Sequence, residues 1–182
     1  MNDTGRQLVI NGGFELPLVD DLTQRFEAGD RSIPGWEIGS GAVQIVNHTR
    51  LFPHEGYQCL LLECEQGKLS SIAQSFAGPA GVSITFMLGA SRVRRAVLEV
   101  LLNGRGSIMP TTDFWQPQET AFTHDMKWRH VHLCMIGPVA REHRLEIRVA
   151  EFEPLDDRQA DPRHRLQGLL LDDLSIKPVG VP

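Results

Sequence analysis

Short apolar runs, broken every few residues by glycine or proline, leave this chain little choice but a β fold. The 17 glycines and 11 prolines recur throughout as punctuation, and the runs between them are rich in Val, Ile, Leu and Phe. Several runs carry the two-residue period of a strand. Leu145, Ile147 and Val149 face one way, Glu146 and Arg148 the other, and Val82, Ile84, Phe86 and Leu88 oppose Ser83 and Thr85. The pattern predicts strands near residues 7–10, 42–47, 58–63, 70–76, 82–88, 97–102, 129–135, 144–150 and 168–176. Short strands in this number, with turn signals between them, predict an all-β, two-sheet antiparallel sandwich of the jelly-roll type. The best helix candidate is residues 18–28. Residues 154–165 mix charges with two prolines and read as a solvated loop joining the last two strands.

Composition bounds the function. A chain of 182 residues is expected to be a single domain, with its core over about residues 8–177. A net charge of −5 argues against a nucleic-acid binder, since no basic excess is available to neutralise phosphates. No apolar run approaches the roughly 20 residues that span a bilayer. Residues 1–6 lack the basic-then-apolar pattern of a signal peptide. No Gly-x-Ser-x-Gly elbow, phosphate-binding glycine loop or His-Glu-x-x-His is present, so no enzyme activity is expected.

Two acids sit at the edges of the outermost apolar runs. Glu15 follows Asn11-Gly12-Gly13-Phe14, and Asp172 follows Leu169-Leu170-Leu171. Strict alternation would place Asp172 on the face of Leu170, Leu174 and Ile176. A carboxylate there needs hydrogen-bond donors or a cation. With the first and last strands as neighbours, Glu15 and Asp172 can share one hard cation such as calcium. The alternative is that both accept hydrogen bonds from the backbone or Asn11 and hold the strand ends together.

The three cysteines do not make a disulfide framework. Cys59 and Cys64, five positions apart in one run, should face opposite ways, and all three thiols are expected to be small buried hydrophobes. His130, His132 and Cys134 share one face of a predicted strand. The spacing suits zinc but lacks a fourth ligand, and a half-buried polar face beneath the other sheet is the plainer expectation.

Asn11-Gly12-Gly13-Phe14-Glu15, Ile33-Pro34-Gly35-Trp36-Glu37-Ile38, Glu55-Gly56-Tyr57-Gln58-Cys59, Ser71-Ile72-Ala73-Gln74-Ser75-Phe76 and the closing Gly168-Leu169-Leu170-Leu171-Asp172-Asp173-Leu174-Ser175-Ile176 occur in an order that carries a resemblance. The chain resembles the galactose-binding-like jelly roll shared by many carbohydrate-binding modules. It most resembles the cell-wall "domain of unknown function 642" proteins of plants and their bacterial relatives. The resemblance implies a non-catalytic carbohydrate-binding module, an extracellular or cell-wall setting, and a structural calcium at Glu15 and Asp172. Against the plant members' usual pattern of a leader and two tandem domains, one domain without a leader is expected here, and Gln167 stands where they usually carry a cysteine. The alternative is a protein-interaction or structural domain without sugar binding.

A sugar site needs an aromatic platform beside directed polar groups. Trp36 and Trp128 read as core. Trp115, with Asp113 and Gln116 in a polar loop, is the best stacking candidate, and Tyr57 is the second. Arg92 and Arg94 supply guanidinium forks suited to an acidic sugar. The expected partner is therefore a polysaccharide or glycan, with a uronate among the options.

Overall fold

The computed structural model describes residues 6–65, 67–110, 128–137, 141–154 and 166–179. Trp115, Asp113 and Gln116 lie outside them. The strands run β1 (Thr23–Glu27), β2 (Glu37–Ser40), β3 (Ala42–Asn47), β4 (Gln58–Glu65), β5 (Lys68–Leu69), β6 (Ser71–Ala77), β7 (Gly81–Ser91), β8 (Val93–Leu102), β9 (Arg105–Pro110), β10 (Arg129–Ile136), β11 (Glu142–Pro154) and β12 (Gly168–Pro178). One sheet has the order β1-β3-β4-β12-β7-β10, with β5 on β4, and the other β2-β6-β11-β8-β9. Every pairing is antiparallel, so the fold is a two-sheet jelly-roll sandwich.

The main core lies between the sheets. Leu60, Leu62, Ile84, Phe86, Leu169 and Leu171 meet Ile72, Leu98, Val100, Leu145 and Ile147 there. The alternation in β11 holds: its inward residues are buried, while Arg148 pairs with Glu99 across the outer face. A second, smaller core lies on the outer face of the larger sheet. Val46, Leu51, Cys59, Leu61, Leu166 and Leu170 form it, with Trp128 against them. Strand β4 is thus covered on both faces, which explains why Leu60-Leu61-Leu62 does not alternate. Cys59 joins the outer core and Cys64 the inner one, as their spacing predicts.

Several expectations change. Residues 18–28 are not helical. Phe26 turns inward from β1, which pairs with β3, and Gly29 ends the strand at φ 88°. Residues 7–10 are not a ladder strand but an extended segment beside β12. Leu8 donates to the Ile176 carbonyl at 2.9 Å, and Leu174 donates to the Gly12 carbonyl at the same distance. Cys134 is exposed, because His130, His132 and Cys134 face solvent on the edge strand β10 while Val131 turns inward. Trp128 is not a core residue of the sandwich; it half-covers the outer cluster.

Candidate functional site

The Asn11-Gly12-Gly13-Phe14-Glu15 motif is a fitted piece of backbone. Asn11 at φ 53° folds its side chain back: Nδ2 donates to the Leu16 carbonyl at 2.7 Å, and Oδ1 accepts the Leu16 N–H at 3.1 Å. Gly12 presses so closely on β12 that a Cβ would lie 1.9 Å from the Leu174 oxygen. Phe14 enters the core 5.5 Å from the Trp36 ring, whose Nε1 donates to the Asn11 carbonyl. That arrangement points Glu15 at the loop before β4.

The two acids hold that loop from both ends. Glu15 Oε1 accepts the N–H groups of Tyr57 at 2.9 Å and Gln58 at 3.3 Å. Asp172 Oδ2 accepts those of His54 at 2.8 Å and Glu55 at 3.2 Å, and its Oδ1 accepts the Asp173 N–H at 2.8 Å. Asp172 is fully buried, but not beside Leu174 and Ile176. Asp173 adopts φ 50° and the ladder shifts between Asp172 and Ser175. This bulge reverses the parity, so Asp172 shares the outer face with Leu170 while Leu174 and Ile176 turn inward.

Burial raises the Asp172 carboxyl to about 7, and the charge of Asp173 adds to the rise; the N–H donors of Glu55, Asp173 and His54 pull against it. Burial also raises the Cys59 thiol well above its ordinary value, with the charges of Asp172 and Glu15 adding to it. One thiol therefore senses both acids. As a cation site the pair is already committed, because its carboxylates accept five backbone N–H groups. Calcium takes 6–8 oxygen ligands, so an ion there would share these oxygens with the loop amides and need further donors.

Beside the clamp lies an open groove of about 540 Å³, with Val9, Phe86 and Leu174 at its base and His54, Glu55, His130 and Asp173 among its lining residues. Tyr57 is 64% exposed and meets His48 edge-on at 5.5 Å. Trp128 donates Nε1 to the Phe52 carbonyl and sits 6.2 Å from the His54 ring. Its ring lies against Gly89, where a Cβ would meet it at 3.4 Å. A glycine inside β7 was the available signal for that close approach.

Arg92 and Arg94 belong elsewhere. Gly168 pairs with both Glu63 and Ser91, so Arg92 emerges at the Glu63 end of β4 while Tyr57 precedes its other end. Five residues of strand separate those ends by about 17 Å. Arg94 pairs with Glu153 at 2.8 Å.

No protein-family model matches the chain, and no curated protein matches it. Solved structures do. TmCBM61 in complex with β-1,4-galactotriose is 16% identical, over 94% of this chain and 97% of that one, with a TM-score of 0.54. They share one fold. The K1 cleaved adhesin domain of Lys-gingipain from Porphyromonas gingivalis W83 is 13% identical, over 87% of this chain and 99% of that one, with a TM-score of 0.55. A family 35 carbohydrate-binding module from Clostridium thermocellum, 11% identical over 85% and 96% of the two chains, has a TM-score of 0.47. At such identities the likeness is one of architecture.

Proposed function

We propose that this domain is a non-catalytic carbohydrate-binding module that recognises a polysaccharide or glycan. The observation that carries the reading is the clamped loop: it displays Tyr57 to solvent and supports Trp128 beside a groove rimmed by His54, Glu55 and Asp173. Exposed rings take the C–H faces of a sugar, and rim carboxylates accept its hydroxyl protons. Holding the loop in advance spares a ligand the ordering cost. The carboxylates favour a neutral glycan in the groove. A uronate would go to Arg92, and Trp115, Asp113 and Gln116 belong to the same proposal as a second stacking group.

A structural calcium is part of this proposal, with Glu15 and Asp172 as its expected ligands and rigidity as its contribution. Melting in calcium against chelator tests it. An ion that binds only the folded form adds about 2.7 kcal/mol at 100 times its dissociation constant, and an unmoved transition removes the calcium.

A glycan array run with the wild type, Trp128→Ala, Tyr57→Ala and Trp115→Ala tests the sugar reading. Binding at high micromolar affinity or better, weakened by loss of a ring, supports it; no binding by the wild type ends it. The second reading, a protein-interaction domain, is favoured by Ile10, Leu16, Leu18 and Leu22, each more than half exposed along one segment. Leu18→Ser would then weaken partner capture and leave glycan binding alone.

A further inference from the structure

We propose that His54, Glu55 and Asp173, with His130 on the facing wall, form a binding site for one divalent transition-metal ion of the zinc class. The ligand atoms of the first three lie within 4.8 Å of one another. All four residues line the same open groove. The fourth is brought there by register: His130 pairs with Met87, and Met87 pairs with Asp172, so one row across β10, β7 and β12 leads from the imidazole to the bulge that turns out Asp173. Two spacings of about 4.8 Å cover that row, a span that an imidazole and a carboxylate bridge when both lean over the intervening strand.

The donor chemistry selects the ion. Imidazole suits zinc, copper and nickel, whereas calcium takes oxygen alone. The site is also distinct from Glu15 and Asp172, whose oxygens serve backbone amides. Among the described residues, neither the Glu55 carboxylate nor the His130 ring has an ion-pair or hydrogen-bond partner that competes with a metal. His54 Nδ1 and Asp173 Oδ2 are hydrogen-bonded at 2.5 Å. Metal bonds of about 2.0–2.2 Å in a tetrahedron set ligand atoms about 3.3 Å apart. The ion therefore widens this contact by about 0.8 Å, and any proton on a ligating atom leaves to solvent as the metal binds. Both side chains are partly exposed, which leaves them room to move.

Chelator-stripped protein titrated with zinc by calorimetry, and with cobalt(II) by absorption, tests the proposal. The expected result is one ion per chain, tetrahedral cobalt bands, and proton release that scales with the ionisation enthalpy of the buffer. His54→Ala and Asp173→Asn should each weaken binding at least tenfold, and His130→Ala less. The His132→Ala, Cys134→Ser double variant should bind like the wild type. Circular dichroism and metal-free melting establish that each variant folds, and Asp173→Asn, which keeps the side-chain shape, carries the test if His54→Ala does not. Three results overturn the site: no stoichiometric zinc or cobalt binding, calcium displacing cobalt from this site at equal concentration, or binding that depends on His132 and Cys134. No glycan enters these measurements, so the metal site and the carbohydrate reading fail separately.

Discussion

Gln74 grips Ile10 by both halves of its backbone. Its Oε1 accepts the Ile10 N–H at 2.6 Å, and its Nε2 donates to the Ile10 carbonyl at 3.0 Å. A side-chain amide thus takes the place of a neighbouring strand. Gln58 does the same further on, accepting from Val19 and donating to the carbonyls of Phe14 and Pro17. Gln7 uses its own amide against Ile176 and Leu174. The opening segment is therefore held in place by glutamines, which is what carries Glu15 to its loop.

Gln74→Leu removes both bonds and leaves the Ile10 peptide group without partners. The expected loss is about 2–4 kcal/mol, read from urea unfolding. Hydrogen exchange at the Ile10 amide should rise more than exchange in β6 itself. Equal exchange in variant and wild type would mean that Gln74 does not hold the segment.

Gly56 is the hinge of the clamp. It sits at φ 67°, and a Cβ there would fall 2.0 Å from Glu15 Oε1. Gly56→Ala must therefore strain the backbone and displace the Glu15 carboxylate, at an expected cost of about 2–4 kcal/mol. In a Glu15→Ala background the displacement has no target, so the same change should cost only its backbone strain, about 1–2 kcal/mol. Full additivity in the double-mutant cycle would show that the two residues do not touch.

Asp172 gives the metal-free protein an unusual pH dependence. Its folded value of about 7 lies above the ordinary 3.8, so between those values the folded state binds the extra proton. Stability from this group is fully present below about pH 4 and is lost as pH rises to 7. The size is on the order of a few kcal/mol. Asp30 and Glu37 act in the opposite sense. The Ser32 and Arg144 hydrogen bonds hold them low, so their contribution disappears only as pH falls below their ordinary values. Denaturant melts between pH 4.5 and 8 in chelator should show wild-type stability falling relative to Asp172→Asn. Parallel curves would mean that Asp172 is not buried as a charge.

Much of this arrangement was legible in the residues, and the gaps have physical causes. Ala42–Asn47 is a strand with the bounds its pattern predicts, because its β-branched run between Gly41 and Asn47 meets no competing signal. Glu15 and Asp172 do converge on one loop. The parity of Asp172 was not legible, since no glycine or proline in residues 169–176 marks the bulge at the left-handed Asp173, where Gly12 packs against Leu174. β9 left a signal that went unused: Asn103-Gly104, at φ 52° and 76°, closes a two-residue hairpin between Leu102 and Arg105. Trp128 was misread because a two-sheet fold suggests one core, whereas this chain builds a second beneath the loop before β4.

The two cores make a prediction about the thiols. Cys59 and Cys64 are fully buried, and burial pushes Cys64 up to about 12 and Cys59 higher still. Cys134 stands exposed on the edge strand, 3.7 Å from His132 Nε2. Native protein should therefore react with a thiol reagent once, and three times in denaturant. The clamp variants separate the remaining two. Cys59 lies under the loop that Glu15 and Asp172 hold, whereas Cys64 faces the space between the sheets. In Gly56→Ala the loop should open locally, so Cys59 labels faster than in the wild type while Cys64 still waits for global unfolding, a difference that peptide mapping reads directly. Simultaneous acceleration of both thiols would mean that the loop is no separate lid over the outer core but unfolds only with the whole sandwich.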